Sequence, residues 1–221
     1  VIQRDAIATE LNGLKFPLYF IDYETHMATI PLFDGWSPNK QVPFEYSLHI
    51  VEALGVEPAH REFLHAVLKD PDVPFATSLH DHIGSEGNII VWHKAFECGT
   101  VNKYLSERHP EYTDFFADFE ARVYDLEDVF SKRLYVDRGF LGRSSIKNVL
   151  PVLVPELSYK ELDIRDGTAA SVAWPKLVSG ELSDAQFEDL CQALRKYCGL
   201  DSYAMYAIWI GLSKLVGAAP S

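Results

Sequence analysis

Three groups of residues in this chain have the types and spacing to do chemistry together. Asp22 and Glu24 form an Asp-x-Glu pair directly after the apolar run Leu18-Tyr19-Phe20-Ile21. Glu97 follows a second apolar run, Ile89-Ile90-Val91-Trp92, within His93-Lys94-Ala95-Phe96-Glu97. Tyr197 and Asp201 stand four residues apart in a helix-patterned C-terminal third. Carboxylates at the end of a buried strand lose solvation and repel one another, and both effects oppose ionisation. A divalent cation relieves both costs, and hard cations such as magnesium take oxygen ligands of this kind. For the first group the alternative is a strand that simply meets solvent at Asp22. A phenol one helical turn from a carboxylate can orient a water, although the same spacing is common in ordinary helices.

These residues need elements to position them. Leu18 to Glu24 reads as a buried strand of an α/β sheet, on which Asp22 and Glu24 emerge on one face, roughly 7 Å apart. Residues 1–13 read as a short helix or tail ending at Gly13. Thr25 to Val42 carries Pro31, Gly35, Pro38 and Asn39 without periodicity and reads as a long loop of the kind that often walls a substrate site. Phe44 to Glu52 alternates as a second strand, Gly55 turns the chain, and Glu62 to Leu68 is a weaker third strand. Asp72 to Ile83 is helical, Ile89 to Trp92 a strand, Phe96 to Arg108 a helix, and Ala121 to Tyr124 a short strand before Asp125. Ser183-Asp184-Ala185-Gln186 matches a capping box, with Phe187, Leu190, Cys191 and Leu194 as its apolar stripe. A second helical pattern starts near Asp201, with Met205, Ile208, Trp209 and Leu212 on one face. Strands first, then alternating helices and strands, predict an α/β fold with a mixed sheet flanked by helices.

Composition narrows the class. The 221 residues are 48% hydrophobic and 13% aromatic, enough for one full core and too apolar for a disordered chain. The stretch Tyr203 to Ala219 is interrupted by Ser213 and Lys214 and is too short to span a bilayer comfortably, so no membrane partner is expected. No charged-then-apolar leader opens the chain, and a first residue of Val implies a domain excised from a longer protein. Cys98, Cys191 and Cys198 cannot all pair and lack Cys-x-x-Cys spacing, which fits a reducing cytoplasm rather than a disulfide framework or zinc knuckle. A formal charge of −12 argues against a general nucleic-acid coat protein, but metal-holding carboxylates count within it, so a nuclease is not excluded.

Ser131 to Leu150 departs from that acidity. Lys132, Arg133, Arg138, Arg143 and Lys147 face the single acid Asp137, with Tyr135 and Phe140 interleaved. Arg138, Arg143 and Lys147 are candidates to track a phosphate backbone, against the reading of an ordinary solvated face. Three further patterns read as structural. Asp118-Phe-Glu120 follows no apolar run and lies on a surface. Asp125-Leu-Glu127 follows a strand, with Asp125 capping the next helix. His80-x-His82 has no third zinc-type ligand nearby and sits on a solvated helix face.

In order, Asp22-x-Glu24 at a strand end, His93-Lys-Ala-Phe-Glu97 after a later strand, and Tyr197-x-x-x-Asp201 in a helical region make a constellation. It resembles the DEDD superfamily of 3′–5′ exonucleases, on the ribonuclease-H-like fold, in its tyrosine-bearing branch. The resemblance runs from about Phe16 to Leu215. Arg143-Ser-Ser-Ile-Lys-Asn-Val-Leu-Pro151 looks like that superfamily's Ser-Leu-Lys-type helix. Ile30-Pro-Leu-Phe-Asp-Gly35 and Pro151-Val-Leu-Val-Pro-Glu-Leu-Ser-Tyr159 are similar to an uncharacterised bacterial family within it. Some members append the domain to a separate RecB-like nuclease region, an additional domain this implies for the full-length chain.

The resemblance implies a single 1–221 domain that hydrolyses DNA or RNA from a single-stranded 3′ end with two divalent cations, Mg2+ or Mn2+. Asp22 would bridge the two cations, Glu24 and Asp201 would complete one of them, and Glu97 would serve the second. Tyr197 would hold the attacking water. Two metals about 4 Å apart stabilise the attacking and leaving oxygens of an in-line displacement. The superfamily usually has Asp where this chain has Glu97, and an Asn where it has His93-Lys94. The rival readings are a nucleic-acid-binding module with weakened catalysis and a small-molecule phosphodiesterase on the same fold.

Overall fold

The apolar run at Leu18 seeds the centre of the molecule. A computed structural model of the chain describes residues 1–217. In it, strand β1 (Leu18–Met27) is paired on both sides, antiparallel to β2 (Gln41–Val51) and parallel to β4 (Asn88–Val91). Beyond these lie β3 (Ala59–Leu64), antiparallel to β2, and β5 (Val123–Asp125), parallel to β4. The five-stranded order is β3-β2-β1-β4-β5, a mixed sheet of the predicted class with helices on both faces.

Strand alternation divides the core in two. Tyr19, Ile21 and Tyr23 of β1, with Phe44, Tyr46 and Leu48 of β2, pack with Phe75 and Leu79 of α2 (Asp72–His82) and Trp174 of α8 (Gly167–Val178). Leu18 and Phe20 point the other way, onto Met205, Ile208 and Trp209 of α9 (Asp184–Val216). Ile7 of α1 (Arg4–Asn12) and Val149 and Leu150 of α7 (Ile146–Leu153) complete that second layer. Asp22 and Glu24 continue the series begun by Leu18 and Phe20, so the two-residue period aims them at α9.

Two backbone devices hold β1 in place. Gly87, at φ +86°, lets the start of β4 lie so close to β1 that a Cβ there would stand 2.0 Å from the Pro17 carbonyl oxygen. On the other side the β1–β2 register slips between Glu24 and Thr25, so Glu24 faces Glu45 while Thr25 faces Pro43. Such a bulge re-aims a strand end, and it gives Pro43 a place where no ladder donor is needed.

Several boundaries differ from the sequence expectation. The predicted loop is shorter, because β1 runs on to Met27 and β2 begins at Gln41. The third strand lies at Ala59–Leu64, earlier than predicted, since an exposed edge strand carries no alternating apolar signal. The helix predicted over Phe96 to Arg108 is three pieces: α3 (Lys94–Phe96), a π-helical turn (Glu97–Asn102) and α4 (Lys103–Arg108). Ala121 closes α5 (Thr113–Ala121) instead of opening a strand, and α6 (Asp128–Ser131) follows β5. The two C-terminal helical patterns are one helix of 33 residues, passing through Gly199 and closed by Gly217 in the left-handed region. Its start is the predicted capping box, with Gln186 N–H donating to Ser183 Oγ and Ser183 N–H to Gln186 Oε1. Most of the apolar stretch from Tyr203 lies in α9; Ala218 and Ala219 lie outside the described residues. Among the described residues no helix is long and apolar enough to cross a membrane.

Candidate active site

Strand β1 delivers Asp22 and Glu24 to the sheet face that α9 covers, and α9 delivers Asp201 to meet them. One oxygen from each of the three carboxylates lies within 4.8 Å of the others. The helix is held in register directly behind this point. Ser47 pairs with Asp22 across the ladder, and its hydroxyl lies 2.7 Å from that of Ser202, the residue after Asp201. His49 Nδ1 reaches the same Ser202 hydroxyl at 2.9 Å, so β2 and α9 are tied by a buried polar clamp.

The trio opens into a cavity of about 640 Å³ whose wall also carries Glu97, Lys147 and Tyr197. Glu97 arrives by a separate route. His93 leaves β4 in the left-handed region at φ 100°, and Asp125 on neighbouring β5 accepts from the backbone N–H groups of His93 (3.1 Å) and Lys94 (2.8 Å). The chain turns there into α3, and Glu97 opens the π-helical turn, a distortion frequent at functional sites. Glu97 is only 2% exposed, and its Oε2 has no hydrogen-bond partner. A buried carboxylate oxygen left unsatisfied is costly unless a cation completes it.

Asp125 does not cap the following helix as predicted: α6 starts without a side-chain cap, and the Asp125 carboxylate turns instead to the backbone at the start of α3. It also accepts from Glu127 N–H at 3.1 Å, in the turn before α6, and these contacts commit it to backbone, away from a metal role. The other patterns read as structural stay so: Asp118 pairs with Arg122, and His82 Nδ1 contacts the Tyr46 hydroxyl at 2.6 Å.

Tyr197 stands one turn before Asp201 on α9, as the spacing predicts. Lys147 Nζ donates to its phenolic oxygen at 3.3 Å and to the Arg165 carbonyl at 2.8 Å, and sits over the rings of Tyr197 and Tyr159. Tyr159 donates its own hydroxyl to Asp201 Oδ1 at 2.5 Å. Lys147 thus belongs to the cavity. Arg138 and Arg143, grouped with it in the sequence, do not: Arg143 lines a separate pocket and Arg138 sits on an exposed 3-10 turn.

Two participants escaped the spacing argument. Tyr159 lies on an irregular segment between α7 and α8, where no periodicity predicts direction. Glu45 faces Glu24 in the ladder, is 1% exposed, and has an Oε2 without a partner. Its signal was present: Phe44, Tyr46 and Leu48 form one face of β2, which leaves Glu45 on the carboxylate side.

Electrostatics follow from this crowding. Burial, then Asp201 and Glu24, push the Asp22 carboxyl well above the usual carboxylate range. Burial, then Asp201 and Glu45, do the same to Glu24. Burial also raises Glu97, with Asp125 and Glu127 adding to it. Asp201 is raised by burial only to about 6, because Tyr159, Lys147 and Tyr197 all favour its charged form. Burial, then the negative field of Asp201, Glu24 and Asp22, keeps the Tyr197 phenol protonated far above neutrality. The donor set is all oxygen, acidic and clustered, which suits magnesium or manganese and not a thiophilic metal.

Fold and cavity together define a mixed α/β domain with a carboxylate-lined site on its central strand. The chain belongs to the family described as domain of unknown function (DUF2779), which matches residues 19–145. That span includes Asp22, Glu24 and Glu97 and stops short of Lys147, Tyr197 and Asp201. An uncharacterized protein of Ureaplasma parvum serovar 3 is 29% identical over 153 residues, covering 62% of this chain and 22% of that relative. One from Mycoplasma genitalium is 22% identical over 222 aligned positions, 93% of this chain and 33% of its own length. The chain therefore spans a third or less of the curated relatives it matches. No solved structure matches it.

Proposed function

We propose that this domain is a metal-dependent 3′–5′ exonuclease that hydrolyses phosphodiester bonds of single-stranded nucleic acid. The observation that carries the reading is the convergence of Asp22, Glu24 and Asp201 within 4.8 Å, on a cavity shared with Glu97, whose buried Oε2 has no partner. The oxygen donors of the trio suit a hard divalent cation, and Glu97 on the same cavity wall suits a second. Asp22, Glu24 and Asp201 would hold one, and Asp22 and Glu97 the other. Bound there, such cations neutralise the charge that develops on the attacking and leaving oxygens of a phosphoryl displacement. The resemblance to the tyrosine-bearing DEDD exonucleases supplies the 3′–5′ direction.

The chain's own residues do the positioning. Lys147 donates to the Tyr197 oxygen, which leaves the phenolic proton free to aim at a carboxylate or a water in the cavity. Because that phenol stays protonated, Tyr197 orients the attacking water and does not remove its proton. Tyr159 fixes the rotamer of Asp201 through its hydrogen bond. Apolar Met27, Trp92, Phe96 and Val172 on the same cavity wall offer surface for a base or sugar.

The test is incubation of 5′-labelled single-stranded DNA and RNA with manganese or with chelator. A ladder of products shortened from the 3′ end, absent with chelator, is expected. Strand binding without any shortening would replace this reading with the weakened binding module. Cleavage of a dinucleotide with no gain for longer strands would replace it with a small-molecule phosphodiesterase.

A further inference from the structure

The chain has nine arginines. Six are committed: Arg4 to the Leu215 carbonyl, Arg61 to His60, Arg108 to Asp70 and Asp72, Arg122 to Asp118, Arg165 to Leu162, and Arg195 to Glu62. The remaining three, Arg133, Arg138 and Arg143, make no side-chain hydrogen bond or ion pair among the described residues, and all three are exposed. They fall within eleven consecutive residues of a chain whose net charge is −12. In so acidic a protein, free guanidinium groups gathered in one place point to an anionic ligand.

The same segment encloses a second pocket, of about 630 Å³, between Arg133 and Arg143. Its floor is aromatic. Tyr135 is half-buried and stands edge-on to Phe140 at 5.3 Å and tilted against Phe130 at 6.1 Å. Asp137 also lines it, but one oxygen of its carboxylate accepts the Gly139 backbone N–H at 2.8 Å. Loose guanidinium groups beside an aromatic floor match a phosphate next to a flat ring, the repeating chemistry of a single nucleic-acid strand. The pocket adjoins the carboxylate cavity: Ser144 lines one and the next residue, Ser145, lines the other.

We infer that the Arg133–Arg143 pocket is a binding site for a single nucleic-acid strand, taking a nucleotide on the 5′ side of the one held among the carboxylates. The position of that nucleotide rests on the proposed exonuclease reading; the occupancy of the pocket by a strand does not. Arg138, on the turn between the two flanking arginines, adds to the field that draws the backbone in. Lys147 is replaced by Arg133 in the phosphate-tracking set that the sequence pointed to.

The experiment compares wild type with Arg133→Gln/Arg143→Gln. Because both side chains are exposed and unpaired, the double variant should fold. A second double variant, Lys69→Gln/Lys103→Gln, removes the same charge from exposed positions elsewhere. Binding of a labelled oligothymidylate is followed by anisotropy with chelator across a salt series, and turnover of a dinucleotide and of longer oligomers with manganese. The arginine variant should bind the oligomer about tenfold more weakly, with a flatter salt slope, while the lysine variant keeps the wild-type slope. In turnover, the wild-type preference for oligomer over dinucleotide should collapse in the arginine variant. Equal oligomer binding by wild type and the arginine variant, or equal losses in both variants, would overturn the site. Displacement of the oligomer by polyglutamate at equal charge would overturn it in favour of an acidic protein partner. Loss of binding in the arginine variant, together with no turnover by wild type at any length, would overturn the exonuclease reading and leave the strand site standing.

Discussion

Asp22 and Glu24 were readable because a strand has a period of two and the residues before them are unambiguous. Glu97 was readable only as the acid after the next buried run; its burial and its unsatisfied oxygen come from the Asp125 cap and the π-helical turn, which leave no local pattern. The two readings of Glu97 part on substitution. Glu97→Asp keeps a carboxylate and should retain measurable turnover, favouring manganese, which tolerates looser geometry than magnesium. Glu97→Gln keeps the shape without the charge. It should lose turnover while raising the Tm of the metal-free protein by about 2 °C or more, because a buried carboxylate with an unsatisfied oxygen is removed. Wild-type turnover in the Gln variant, measured beside manganese titration, would remove Glu97 from the site. Tyr159 was invisible as a participant, since its direction is set by an irregular segment. Tyr159→Phe removes only the donor to Asp201 and should lower kcat about tenfold to a hundredfold with little change in KM for a long oligomer. An unchanged kcat would make the hydrogen bond incidental.

At the scale of elements, β1 and α9 carry the site, and both were legible: β1 from its apolar run, α9 from its capping box. That α9 is one helix was not, because Gly199 and a break in the apolar stripe resemble a boundary. Contacts with β1 and β2 override that weak local preference, and the Ser47–Ser202–His49 clamp holds the stretch straight through Asp201. Gly199 is therefore a helical residue without need of its freedom. A Cβ there would meet only Ser47 Oγ at 4.0 Å, ordinary contact. Gly199→Ala should stabilise the protein by about 0.5–1 kcal/mol with turnover retained. A lower melting temperature would mean that the helix bends at this point in solution. Gly87 is the contrast: at φ +86°, with a Cβ 2.0 Å from the Pro17 oxygen, Gly87→Ala should be destabilising by more than 1 kcal/mol or so and should loosen the β1–β4 pair beneath the carboxylates.

For the molecule as a whole, clustered acids link metal binding to stability. Asp201 at about 6, with Asp22, Glu24 and Glu97 well above the usual range, all bind protons more tightly folded than unfolded. The metal-free folded state then holds more protons than the unfolded chain, so its stability is highest where these acids are protonated and falls as pH rises through their folded values. His49, depressed to about 4 by burial and then by His60, and His65 and His82, depressed by burial, act with the opposite sign but are neutral in both states above about pH 7.5. Above the histidine range, the Tm of chelator-treated protein should fall as pH rises through the raised folded values of Asp22, Glu24 and Glu97, and manganese should raise it most at the upper end, where protons no longer compete. A flat metal-free profile with no manganese effect would mean that the carboxylates are not a cation site.

One substitution addresses the proposed role of Asp22 as anchor of a metal-dependent hydrolytic centre. Asp22→Asn keeps size and hydrogen-bonding capacity while removing the charge shared by both proposed cation positions. The measurement is the initial rate of shortening of a 5′-labelled oligonucleotide across a manganese series, for wild type and variant, with Tm recorded on the same samples. The variant should lose about a thousandfold or more in rate at every manganese concentration and melt at or above the metal-free wild type. A variant that melts normally and hydrolyses within about tenfold of wild type would contradict that role.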